Sequence, residues 1–183
     1  MTVWELWLPI LVAGVATHVF STLAWTALPH HKPEIQGLNE NEGGLLDFIA
    51  RAVIAPGAYL FPFTADMKEC GSEEFKKKQA RCTGELVIWE RPISMGAAIA
   101  KTLTFFLVTA FTIGYLASFS VPRGAEFLPV FRFASTAGLL AHCFAKFPHV
   151  FWFPKPIAMS LVDGVVYAVI TGLAFGLLWP AAS

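Results

Sequence analysis

Four long apolar runs and one long polar stretch set the pattern of this chain. The runs cover residues 3–27, 95–119, 127–147 and 157–179. Each has roughly 20–25 residues, enough for a helix to cross about 30 Å of hydrocarbon at 1.5 Å per residue. The polar stretch fills 29–94 and opens on Leu28-Pro29-His30-His31-Lys32-Pro33-Glu34, where a proline ends the first run.

Inside the polar stretch, Leu45, Leu46, Phe48, Ile49, Ala52 and Val53 follow helical spacing on one face, with Asp47 and Arg51 an i,i+4 pair on the other. That helix is too short and too charged to span, so it is expected flat in the membrane interface and closed by Pro56-Gly57. Tyr59-Leu60-Phe61-Pro62-Phe63 reads as an edge strand or an extended membrane-surface loop. Residues 72–81 predict a short helix capped by Ser72, with Glu73 and Glu74 first, Lys76, Lys77, Lys78 and Arg81 later, and Gly84 as terminator. Residues 85–90 predict a strand that pairs with the aromatic stretch. The expected fold is all-α membrane: one integral domain over 1–183, with four transmembrane helices, an interfacial amphipathic helix and a small cytoplasmic segment between helices one and two.

Composition agrees with this reading. The chain is 56% hydrophobic and 14% charged, against about 45–50% and 25% for soluble domains. Formal net charge is zero, which leaves no basic field for nucleic acid. Cys70 and Cys82 match no zinc spacing and are expected to be free thiols. The N-terminus has no basic n-region, and its apolar run outlasts a signal sequence, so it is expected to be a true membrane helix. Lys32, Arg51, Lys68, Lys76, Lys77, Lys78, Arg81, Arg91, Lys101, Lys146 and Lys155 fall on one side, and Arg123 and Arg132 on the other. Positive residues mark the cytoplasm, which puts both termini outside.

That topology brings His30, His31, His149 and Asp163 to one leaflet as candidate ligands of a transition metal. No HxxH, HExxH or ExxH spacing accompanies them, and interfacial histidines bonded to backbone or headgroups are the competing reading. His18 and His142, on different helices and offset in depth by roughly 6 Å, are candidate axial ligands of haem b. Asp163 is either structural, capping its helix or pairing with Lys155 or Lys101, or it lies on a transport path. Gly164, Ala168, Gly172 and Gly176 form a small-residue ridge for close helix packing, against helix one or two or against another subunit. No nucleophile elbow, phosphate loop or paired helical carboxylate is present, so an enzyme is not favoured.

The stretches Ala24-Trp25 through Leu28-Pro29-His30-His31-Lys32-Pro33, Pro56-Gly57-Ala58-Tyr59-Leu60-Phe61-Pro62 and Asp163-Gly164-Val165-Val166-Tyr167 through Thr171-Gly172 to Trp179-Pro180 resemble a family of small uncharacterised bacterial four-helix integral membrane proteins. The resemblance implies a bacterial inner-membrane protein and no particular chemistry. The expected function is a non-catalytic membrane subunit, partnered by the lipid bilayer and by other membrane subunits or copies of itself. The alternatives are a haem- or metal-binding redox protein and a small transporter or channel with Asp163 on its path.

Overall fold

The computed structural model describes residues 1–182 and divides into two units, Met1–Gln36 with the chain from Ser94 onward, and Gly37–Ile93. The first unit carries four helices long and apolar enough to cross a membrane: Val3–Thr26, Met95–Ser120, Phe127–Trp152 and Ala158–Leu177. The first begins with a 3-10 turn and continues as α1 (Trp7–Thr26). The chain then has α2 (Glu42–Arg51), α3 (Glu73–Arg81), α4 (Met95–Ser120), α5 (Phe127–His142), α6 (Phe147–Trp152) and α7 (Ala158–Leu177).

The third crossing differs from the single helix expected over 127–147. Regular α-helix stops at His142, a 3-10 turn covers Phe144–Lys146, and α6 restarts the chain with Pro148 in its first turn. Pro148 has no amide hydrogen to donate back into the preceding turn and its ring collides with that turn's carbonyl, so the helix restarts around it.

In this unit α5 packs on α7, and α1 packs on both α4 and α7. The glycine ridge lies wholly inside the chain. A Cβ at Gly164 would meet Cys143 and the His142 carbonyl, one at Gly172 would meet Phe131 and Ser135, and one at Gly176 would meet Phe127. Opposite Ala168 stands Gly138, where a Cβ would lie 2.9 Å from the Ala168 Cα. The ridge therefore seats α5, not helix one or two, because α5 offers its own small residue at the crossing.

Buried groups sort by depth. Leu6, Ala13, Ile113, Val130 and Phe175 form an apolar core toward one end of the four helices. That end is tied by Arg123, which donates to Glu5 at 2.7 Å and to the Ala181 carbonyl at 2.9 Å. Toward the other end the interior turns polar, with Ser21, His31, His142 and Asp163 all buried.

In the Gly37–Ile93 unit, β1 (Gly57–Phe61) and β2 (Gly84–Ile88) form an antiparallel pair with Tyr59 opposite Leu86. The strand expected in 85–90 thus forms, and β1 ends before Pro62, which cannot donate to a ladder. Ser72 caps α3 as expected, accepting from the Phe75 amide at 3.1 Å. Three local expectations fail. Gly84 starts β2 rather than ending α3, and a Cβ there would meet the Phe61 ring at 2.8 Å. Arg51 donates to the Asp47 backbone carbonyl at 3.2 Å instead of its carboxylate. Helix α2 ends well before Pro56, with Val53 held at φ 52°.

Candidate functional site

The site is built where α1 ends and α7 begins. Pro29 fixes its own φ and pushes Leu28 into the extended region, at φ −87° and ψ 139°. A single 3-10 turn over Pro29–His31 follows and presents two consecutive imidazoles. Their ring centroids lie 4.3 Å apart. Both reach one carboxylate in the second turn of α7: His30 Nε2 donates to Asp163 Oδ1 at 2.9 Å, and His31 Nε2 donates to Asp163 Oδ2 at 2.8 Å.

The second nitrogen of His31 is also engaged. Nδ1 donates to Glu34 Oε2 at 3.0 Å. The other oxygen of Glu34 accepts from the Met159 amide at 2.7 Å. No side chain of α7 caps its own first turn, and Glu34 caps it from across the chain, where the helix dipole favours an anion. The indole of Trp25 stacks on His31 at 3.8 Å, with planes 9° apart. Tyr167, one turn beyond Asp163, completes the set with a long 3.5 Å hydroxyl contact to Oδ2.

Electrostatics follows from this geometry. His31 faces a carboxylate oxygen at each ring nitrogen, an arrangement that favours the doubly protonated ring when no metal is bound. Burial opposes that charge, but the hydrogen bonds to Asp163 and Glu34 and their negative charges outweigh it and raise the pKa of His31 above 6.5. Burial likewise opposes ionisation of Glu34, and the bonds from His31 and the Met159 amide overcome it, holding Glu34 below 4.5. The indole face over His31 adds a cation–π contact.

The side chains of His31 and Asp163 are 7% and 4% exposed, while that of His30 is 23% exposed. One ligand-type atom from each of His30, His31 and Asp163 lies within 4.8 Å of the others. Two imidazole nitrogens and one carboxylate oxygen suit a first-row divalent ion. Glu34 on the far nitrogen of His31 is the carboxylate–histidine arrangement that fixes the orientation of such a ligand.

Of the residues expected from sequence, His30, His31 and Asp163 meet. His149 does not join them; it is exposed on α6 and stacks on Phe153 at 4.9 Å. Asp163 is held by His30 and His31. His18 and His142 both pack on Phe106, whose ring centroid is 6.3 Å from one and 5.8 Å from the other. His142 also meets Tyr167 edge-on at 5.5 Å. Haem between the two histidines would require this packed aromatic cluster to open. Glu34 and Trp25 were missed as site residues. The signal for Glu34 was its i,i+3 spacing from His31; nothing in the sequence marked its contact with Met159.

Fold and site together define a multi-pass helical protein with a buried histidine–carboxylate cluster at one end of its bundle. No protein-family model, curated protein or solved structure matches the chain.

Proposed function

We propose that this chain is a multi-pass protein of the bacterial inner membrane that holds one divalent transition-metal ion between His30, His31 and Asp163. The observation that carries the reading is the convergence of two imidazoles and a carboxylate from opposite ends of the sequence, with Glu34 bonded behind His31. Three protein ligands leave a coordination position open, and the exposed edge of His30 is the route to it. The excess of lysine and arginine on this side supports a cytoplasmic site and outward-facing termini, with α2 lying in the interface.

A second reading, a non-catalytic subunit of a larger assembly or a homo-oligomer, draws on the exposed apolar surface of the Gly37–Ile93 unit. The glycine ridge does not support it, because α5 occupies that ridge. A transport path through Asp163 is disfavoured by the apolar core that fills the other end of the bundle.

The test is metal content of protein extracted in mild detergent, followed by Co²⁺ titration of the chelator-treated protein. About one equivalent of metal per chain is expected. Asp163→Asn and His30→Gln should each weaken Co²⁺ binding more than tenfold, and Glu34→Gln by about 10–100-fold. Folded wild-type protein that binds Co²⁺ no more tightly than Asp163→Asn overturns the proposal. Extra polypeptides in native mass spectra would favour the subunit reading instead.

A further inference from the structure

The Gly37–Ile93 unit contains no buried residue. A two-stranded hairpin with two short helices has no core to sustain it in water. It nevertheless exposes large apolar side chains, among them Phe63 at 73% and Trp89 at 65%. On the hairpin, strand alternation and the pairing of Ala58 with Val87 put Ala58, Leu60, Val87 and Trp89 on one face. Glu85, opposite Leu60, marks the polar end of that face. An apolar patch of this kind is normally covered.

Chain connectivity identifies the cover. Ile93 precedes Met95, the first residue of α4, by two residues, and Trp89 precedes it by six. At about 3.5 Å per residue, Ile93 reaches no more than roughly 7 Å from the start of α4 and Trp89 no more than roughly 21 Å. The headgroup layers add about 10–15 Å to the hydrocarbon thickness in total, about 5–7 Å on each side, so Ile93 stays at or beside the interface and Trp89 is within reach of it. We infer that the Leu60, Val87 and Trp89 face is immersed in the interfacial layer of the bilayer, with Ile93 at its edge. The unit carries seven Lys and Arg against nine Asp and Glu. It is therefore slightly acidic, and apolar insertion, not attraction to anionic lipid, holds it there. The basic turns of α3, with Lys76 and Lys78 paired to Glu73 and Glu74, stay in water.

The inference rests on the chain being a membrane protein, and the experiment separates the two. Full-length protein with Cys70 and Cys82 changed to Ser and Cys143 to Ala is reconstituted in lipid nanodiscs. Spin labels are placed singly at Leu60→Cys, Trp89→Cys, Lys77→Cys and Val108→Cys, and collision with O₂ and with nickel-EDDA is measured. Val108 is exposed within α4 and reports hydrocarbon. The O₂-to-nickel ratio at positions 60 and 89 should exceed that at 77 several-fold, equally in zwitterionic and anionic discs and at low and high salt. A ratio equal to that at 77 places the face in water and overturns the inference. Low collision with both reagents means protein covers it, which also overturns it. Protection only in anionic discs would replace apolar insertion by charge. A water-like ratio at Val108 would instead defeat the membrane reading itself.

Discussion

Removal of the Glu34 side chain tests the cluster most directly. Glu34→Ala deletes two acceptors at once, the one for His31 Nδ1 at 3.0 Å and the one for the Met159 amide at 2.7 Å. Hydrogen bonds to a charged group contribute about 1.5–3 kcal/mol each, and breaking a buried ion pair on one side costs about 3–5 kcal/mol. The two bonds share one side chain and do not add in full, so a loss of about 3–5 kcal/mol is expected. Glu34→Gln should cost only about 1–2 kcal/mol. Its amide oxygen still accepts from Met159, and its NH₂ donates to an unprotonated His31 Nδ1 while Nε2–H keeps Asp163. The assay is SDS-titrated unfolding of chelator-treated protein in mixed micelles, followed by far-UV circular dichroism. The pH profile follows from the two shifts. The raised His31 contributes stability that is complete below about 6.5 and fades as pH climbs through its folded pKa. The lowered Glu34 contributes stability that is complete above about 4.5 and fades as pH drops through its folded pKa. Metal-free stability should therefore peak between those values, and Glu34→Gln should flatten the profile. A Glu34→Ala loss below 1 kcal/mol at pH 6, or stability that grows steadily from pH 6 to 9, refutes the reasoning.

Three further outcomes are expected. Gly138→Ala pushes a methyl toward the Ala168 Cα and should destabilise the protein by about 1–3 kcal/mol, measured in the same SDS titration. The hydroxyl of Thr17 is fully buried without a partner, whereas Thr22, Thr102, Thr104, Thr112 and Thr171 all donate to their own helices; Thr17→Val should stabilise by about 1 kcal/mol, and a loss of that size would mean the hydroxyl has found a partner. Val53 is β-branched at φ 52°, so Val53→Gly should relieve about 1 kcal/mol of strain and slow amide exchange in the Gly37–Ile93 unit.

The four helices long and apolar enough to cross a membrane were legible because each needs a long apolar run, a signal carried entirely by local composition. Ser72 and the two paired strands were legible for the same local reason. The break between His142 and Phe147 was not, since Pro148 had been read as ending the helix and it instead starts a new turn. The cluster was half legible. The expected topology put His30, His31 and Asp163 on one side, but their shared contact spans more than 130 residues, and no spacing rule reaches that far. His149 was expected on the same side and does not join them, because α6 carries it onto an exposed face. The ridge on α7 announced a close partner without naming it, since Gly138 on α5 is a lone glycine without a periodic pattern.

The distance in sequence between His31 and Asp163 has a consequence for how the protein is made. When the ribosome has completed α1, the two histidines already exist, but the carboxylate that receives them is still 132 residues away. Until α7 is made, Glu34 has no helix start to cap and His31 has no aspartate to face. The contact closes only after α7 has packed beside α1, so a chain stalled or clipped before residue 163 leaves His30 and His31 without their shared acceptor. A closed cluster thus reports that the first and last long helices have met.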